Sequence, residues 1–256
     1  MNMDKTIHLG ARGDVIVTPD AGSLFQAAAE MVSQAAASAI AERGRFTIAL
    51  SGGSTPKALY ELLATDAWRN RIDWSRTHFF WGDERWVPSA DKQSNYRMTN
   101  EALLSKVPVP AANVHRIDTD SGTPEGAAEK YEEDIRAFFG ASPRFDLNLL
   151  GIGTNGHTAS LFPHRPTLHE RDRLVVADYI PEVEMNRITF TVPLINDSRT
   201  ILFLASGKDK ASVLAEVLRG PHDPGRLPSQ LIAATDGKLI WLTDTAAAAA
   251  IEQPGF

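Results

Sequence analysis

Cysteine is absent from the 256-residue chain. That excludes a disulfide framework, a thiolate zinc site and a cysteine nucleophile, and it fits a reducing, cytoplasmic setting. No apolar run approaches the ~18 residues of a membrane span, and Met1-Asn2-Met3-Asp4-Lys5 leads into no apolar core of signal-peptide length. Neither a membrane nor a secretory route is therefore expected. Positive charge is not in excess either: 26 Lys and Arg stand against 32 Asp and Glu, for a formal net charge of −6. Such a surface opposes non-specific binding of nucleic acid or anionic lipid, so an anionic ligand would need a local basic cluster. There is no internal repeat and no His-Glu-x-x-His pair. His157, His164 and His169 are close in sequence, but Pro163 and Pro166 break any shared helical face, so no metal site is expected.

What is present is enough apolar content, 43% of residues, for a full core. One domain spanning 1–256 is expected. Apolar runs alternate with helical patterns in the manner of βαβ units, which predicts an α/β fold with three layers and a mainly parallel central sheet. Strands are expected at Phe46–Leu50, His78–Trp81, Val114–Ile117, Phe145–Leu150, Ile201–Ala205 and Leu239–Leu242, with Asn186–Phe190 strand-like. Spacing near 3.6 predicts helices over Asp20–Arg43, Asn95–Leu104, Pro124–Phe139 and Lys208–Leu218. A further helix should follow Phe46–Leu50, capped by Thr55 with Pro56 in its first position. The Pro/Gly-rich stretch 220–225 reads as a surface loop, and the alanine run 246–250 as a short terminal helix.

The most informative segment runs from Phe145 to Pro163. A buried-strand pattern enters Gly151-Ile152-Gly153-Thr154-Asn155-Gly156-His157. Although Gly151-x-Gly153-x-x-Gly156 has the spacing of a dinucleotide fingerprint, that motif needs its third glycine inside a long helix, and Pro163 and Pro166 forbid one. What remains is a loop at the carboxyl end of a strand, the usual ligand position in open α/β sheets, holding His157. Ser51-Gly52-Gly53-Ser54-Thr55 joins a strand to a helix and offers backbone N–H groups to an anion. It is not a Walker A loop, since no Gly-Lys-Ser/Thr follows. Asp83-Glu84-Arg85 follows another strand. There Arg85 can fork onto a phosphate, while Asp83 can accept from a sugar hydroxyl or orient the arginine. Glu84 has no separate task in this pattern, and is expected either to support its neighbours or to face solvent. Arg187 and Lys210 are the remaining basic candidates near the same edge.

Three of these blocks together closely resemble the 6-phosphogluconolactonase family: Leu50 to Pro56, Trp81-Gly82-Asp83-Glu84-Arg85-Trp86-Val87-Pro88, and Gly151 to Pro163. A weaker Ser206-Gly207-x-x-Lys210-Ala211 supports them. One residue departs from the pattern, since the family usually has Asp where this chain has Asn155. Asn can still hydrogen-bond a hydroxyl or the loop backbone, but it carries no charge. The resemblance implies the sugar-phosphate isomerase and deaminase fold and hydrolysis of 6-phospho-D-glucono-1,5-lactone to 6-phosphogluconate in the oxidative pentose phosphate route. It implies a small sugar-phosphate substrate held by Gly53, Ser54, Thr55, Asp83, Arg85, Asn155, Gly156, Arg187 and Lys210. An already electrophilic lactone requires no cofactor or metal.

No Gly-x-Ser-x-Gly nucleophile elbow occurs, and Ser160 is poorly placed to act as a nucleophile, which leaves water as the attacking group and His157 as its general base. An imidazole titrating near neutrality would suit that task. Glycine N–H groups near Gly53 or Gly151–Gly156 are expected to stabilise the oxyanion. The alternative, a glucosamine-6-phosphate deaminase-type isomerase, has Asp-Glu-Tyr in the middle block and His-Ile-Ala-Phe-Asn-Glu-Pro after the glycine. Here those positions read Asp83-Glu84-Arg85 and His157-Thr158-Ala159-Ser160-Leu161-Phe162-Pro163. A non-catalytic sugar-phosphate sensor would lack the base, and His157 is present. A cytoplasmic monomer or small homo-oligomer is the expected form.

Overall fold

Ten strands and eight α-helices lie along residues 5–251, the part of the chain that the computed structural model describes. Residues 1–4, on which the reading of the amino terminus largely rests, and 252–256 lie outside it. The strands are β1 (Lys5–His8), β2 (Asp14–Thr18), β3 (Phe46–Leu50), β4 (Thr77–Trp81), β5 (Asp83–Arg85), β6 (Leu147–Gly151), β7 (Val175–Ile180), β8 (Met185–Phe190), β9 (Thr200–Ala205) and β10 (Lys238–Asp244). The helices are α1 (Ala21–Arg43), α2 (Ser54–Leu63), α3 (Asp66–Arg69), α4 (Asn95–Ala102), α5 (Pro124–Phe139), α6 (Val192–Asn196), α7 (Ala211–Arg219) and α8 (Thr245–Ala248). None of the described helices is long and apolar enough to cross a membrane.

Seven strands form the central sheet in the order β1-β2-β10-β9-β6-β3-β4, and every pairing except β1 with β2 is parallel. Purely parallel strands have to be covered on both faces, and the sequence obliges: β3 is buried at all five positions and β9 at five of six. On one side α1 packs against β3 and β10 while also touching α2. On the face carrying Phe80 of β4, an aromatic cluster brings in Phe138 and Phe139 of α5, Phe145, and through Phe145 also Phe190 of β8. The layers are therefore helix, sheet, helix, as the alternating pattern predicts.

A second, antiparallel sheet, β5-β8-β7, stands beside the first and backs onto α5. The chain passes from one sheet to the other at Gly82, whose N–H donates to Leu50 O (2.9 Å) and whose C=O accepts from Phe190 N–H (2.8 Å). At the amino ends of the parallel strands, Asp146 ties three elements together. Its carboxylate accepts from Thr47 N–H and Oγ1 (both 2.9 Å) and from Arg43 at the end of α1, with Arg199 at 3.5 Å.

Three sequence expectations change. Val114–Ile117 is not a strand: Val114 makes a single bridge to Phe79 before Arg116 turns away to pair with Asp120. Thr55 does not cap α2. Gly53 occupies the cap position with φ of 104°, so the helix begins at Ser54, and Thr55 and Pro56 lie inside its first turn. Lys208–Lys210 forms a single 3-10 turn ahead of α7 rather than part of it. Asp20, by contrast, caps α1 by accepting from Ser23 N–H (2.7 Å).

Replacing Asp146 strands the buried Thr47 N–H, while the part-exposed Arg43 and Arg199 can turn to water and Arg43 keeps Glu42; losing the buried partner costs about 1–3 kcal/mol. Asp146→Ala should therefore lower the midpoint of urea unfolding without changing the slope of the transition.

Candidate active site

Parallel strands end on one side of the sheet, and the order reverses between β3 and β6: from β3 the chain moves outward to β4, then returns to the other side of β3 for β6 and β9. Such a reversal opens a crevice between the two departing loops. Here those loops are Ser51–Gly53 after β3 and Ile152–His157 after β6. The cleft between them is lined by Ser51, Gly52, Gly53, Asp83, Arg85, Gly151, Ile152, Gly153, His157 and Ala159.

The β6 loop folds back tightly because its glycines permit it. Gly156 N–H donates to Gly153 O and Gly153 N–H donates to His157 O, both at 2.9 Å, which carries the imidazole directly over Gly153. A Cβ on Gly153 would come within 2.1 Å of the ring. Gly156 sits at φ 80°, and a Cβ there would lie 2.6 Å from Leu227 Cδ2. Its C=O is fixed by Ser229 N–H (2.9 Å) and Oγ (2.8 Å). The His157 ring stacks on Phe162 at 4.2 Å between centroids, nearly parallel at 10°.

Asn155 sets the tautomer. Its Oδ1 accepts from the His157 backbone N–H (3.2 Å) and lies 2.5 Å from His157 Nδ1. An amide oxygen only accepts, so Nδ1 carries the proton and Nε2 keeps its lone pair. The near-neutral titration expected from sequence is not what this environment gives. Burial pushes the imidazole down to about 4, with Arg187, Lys210 and Arg85 adding to the effect and Asp83 opposing it.

Asp83 and Glu84 are both buried rather than solvated. Asp83 Oδ2 accepts from Ser160 Oγ (2.8 Å), and Asn95 Nδ2 donates to Asp83 O (3.0 Å) and Oδ1 (3.3 Å). Ser160 thus orients a carboxylate. Glu84 has a clear task after all: it accepts from Ser94 Oγ and from the N–H groups of Asn95 and Tyr96, anchoring the start of α4. Its pKa is raised by burial, against those N–H donors. Asn95 escaped sequence reasoning; its side chain fills the space where Gly52 would carry a Cβ, 1.9 Å from its Oδ1.

The second sheet supplies the basic edge. Arg85 of β5 stands directly opposite Arg187 of β8 in the ladder. Like charges so paired are unfavourable unless something negative comes between them. Arg85 donates to Gln93 O (2.6 Å), yet the buried Nε atoms of both arginines have no hydrogen-bond partner. Lys210 lies 3.2 Å from Asp209 in the turn after β9, a turn held by Asp244 of β10 through Ser206 Oγ and Gly207 N–H.

Of the residues singled out from sequence, Gly53, Asp83, Arg85 and His157 line the cleft. Arg187 joins through its pairing with Arg85, and Lys210 through its charge on His157. Ser54 and Thr55 occupy the uncapped first turn of α2 behind Gly53, where backbone N–H groups are left over. Asn155 and Gly156 shape the loop.

A family model described as glucosamine-6-phosphate isomerases/6-phosphogluconolactonase matches residues 19–241. The chain belongs to this family. Among its relatives, a 6-phosphogluconolactonase of Synechocystis sp. is 45% identical over 225 residues, covering 86% of this chain and 91% of that one. A 6-phosphogluconolactonase of Nostoc sp. is 41% identical over 240 residues, covering 92% and 97%. The solved structure of 6-phosphogluconolactonase from Trypanosoma cruzi superposes with a TM-score of 0.85 at 28% identity, covering 96% and 99%. A monomeric glucosamine-6-phosphate deaminase shares the fold, with a TM-score of 0.77 at 22% identity, covering 92% and 99%.

Gly153→Ala should force the imidazole off its seat while leaving the sheet intact. The expected result is loss of the Nδ1 hydrogen bond to Asn155, read from the histidine nitrogen shifts by NMR. An unchanged Nδ1-protonated tautomer would contradict the packing described.

Proposed function

We propose that the protein hydrolyses 6-phospho-D-glucono-1,5-lactone to 6-phosphogluconate, with His157 Nε2 as the general base. The observation that carries this reading is an imidazole whose Nδ1 proton is tied to Asn155, so that its free nitrogen serves a cleft edged by two facing arginines. Water attacks the lactone carbonyl and gives a proton to Nε2. The C1–O bond to the ring oxygen then breaks, and that oxygen takes the proton from the imidazolium. The resulting carboxylic acid releases its proton to solvent. A weakly basic imidazole is wholly unprotonated at neutral pH, and its conjugate acid is a strong donor to a departing alkoxide.

The Gly52–Gly53 segment borders the same cleft and suits a developing oxyanion through its backbone N–H groups, whereas the N–H groups of Gly153 and Gly156 are already given to His157 O and Gly153 O. Arg85, Arg187 and Lys210 suit the phosphate, since a dianion resolves the like-charge pairing of the two arginines. We read residues 1–256 as one domain acting in the cytoplasm, alone or as a small homo-oligomer; the absence of cysteine supports a reducing compartment.

The direct test is decay of freshly generated 6-phosphogluconolactone, which the purified protein should accelerate above the spontaneous rate while releasing no ammonia from glucosamine 6-phosphate. His157→Gln should fold normally and lose about 10²–10⁴-fold in catalysed rate. A folded variant with wild-type turnover would overturn the mechanism, and ammonia release without lactonase activity would overturn the reaction.

Arg187→Ala should weaken 6-phosphogluconate binding about 10–100-fold, the worth of a charge-assisted hydrogen bond, and leave gluconate binding nearly unchanged. Isothermal titration with the two ligands distinguishes these outcomes.

A further inference from the structure

His157 shares its cleft with a charge imbalance. Facing it are Asp83 and Arg85 from β5, Arg187 from β8 and Lys210 from the turn after β9, while its own loop contributes the neutral Asn155 and the apolar Phe162. Glu84 is turned away to the start of α4. Lys210 is paired with Asp209 at 3.2 Å, but Arg85 and Arg187 face each other with only Asp83 beside them, and Asp83 is held in place by Ser160 and Asn95. The two orphaned arginine Nε atoms show that the cationic side has hydrogen-bonding capacity to spare. An acidic residue at position 155 would have offset part of that charge; Asn155 does not. A sugar phosphate would supply the negative charge that the two facing arginines lack.

Resting on the lactonase reading above, we propose that the substrate's phosphate is part of the proton-transfer apparatus: by neutralising Arg85, Arg187 and Lys210 it raises the basicity of His157, so the base reaches full strength only in the phosphorylated complex. The cations that bind the substrate weaken the base while the cleft is empty, and the same ligand that occupies them relieves the effect. Discrimination against unphosphorylated lactones then acts on kcat as well as on KM, because the missing phosphate removes driving force from the proton transfer itself.

The test is an NMR titration of the His157 ring in the intact protein, its signal assigned by loss in His157→Gln. The probe is glucitol 6-phosphate, which carries the phosphate but no carboxylate that could act on the imidazole directly. In the free protein the midpoint should lie at about 4. Saturating glucitol 6-phosphate should raise it by about one pH unit or more, as a nearby opposite charge does, and glucitol should not. Lys210→Gln should raise the midpoint of the free protein and shrink the ligand-induced change. Calorimetric binding of glucitol 6-phosphate with an unmoved midpoint would overturn the inference and leave the lactonase reading standing. Failure of the phosphate ligand to bind a protein with full lactonase activity would overturn it as well. Absence of lactonase activity would fell the underlying reading instead.

Discussion

Parallel strands deliver their loops to one edge, and in this chain that constraint governs the placement of nearly everything that matters chemically. The strands β9, β6, β3 and β4 are consecutive neighbours in the sheet although they are drawn from a stretch of sequence that runs from Phe46 to Ala205. Each is followed at its carboxyl end by one of the polar segments: the Lys210 turn, the His157 loop, the Ser51–Gly53 loop and the step through Gly82 to Asp83. The reversal between β3 and β6 then holds two of those loops apart, and the gap between them is the cleft. At the opposite edge Asp146 ties the strand origins to the end of α1.

Within that frame the site carries costs that a purely structural assembly would avoid. Two arginines face each other across an antiparallel ladder, a carboxylate is buried beside them, and Ala159 adopts a positive φ of 47° next to the cleft. Such local conflicts concentrate where a protein binds and reacts, and the surrounding core has to over-determine them. Here that support is visible residue by residue: Ser160 and Asn95 fix Asp83, Glu84 secures the start of α4 beside them, and Phe162 backs the imidazole.

Much of the architecture was legible because buried parallel strands announce themselves as short apolar runs. Phe46–Leu50 and Ile201–Ala205 are found where those runs stand, and the glycine spacing around His157 marks a loop rather than a helix. Local rules misled where tertiary contacts decide. A threonine before proline looks like a cap, but Gly53 reaches the left-handed region more easily and starts the helix earlier. The strand β7 mixes Asp178 and Tyr179 into its run, and only pairing with β8 defines it. Nor does the sequence reveal how basic His157 is, since that depends first on its burial and then on Asp83, Arg187 and Lys210 arriving from distant elements. Asn95 was invisible for the same reason: nothing local tells that an asparagine opening a helix will fill the space above Gly52.

The passage through Gly82 also bears on how the molecule assembles in time. Arg85 meets Arg187 only after β5 has left the main sheet and paired with a strand about a hundred positions further along, a contact with a large loop-closure cost. Long-range pairings of this kind are slow to form compared with local helices and neighbouring strand pairs such as β3–β4. The phosphate proposed to bind at Arg85 and Arg187 would hold together segments from both halves of the chain, and mass action would then favour the finished state over partly assembled ones. On that proposal, the capacity to hold a phosphorylated ligand would mark a newly made copy as fully folded.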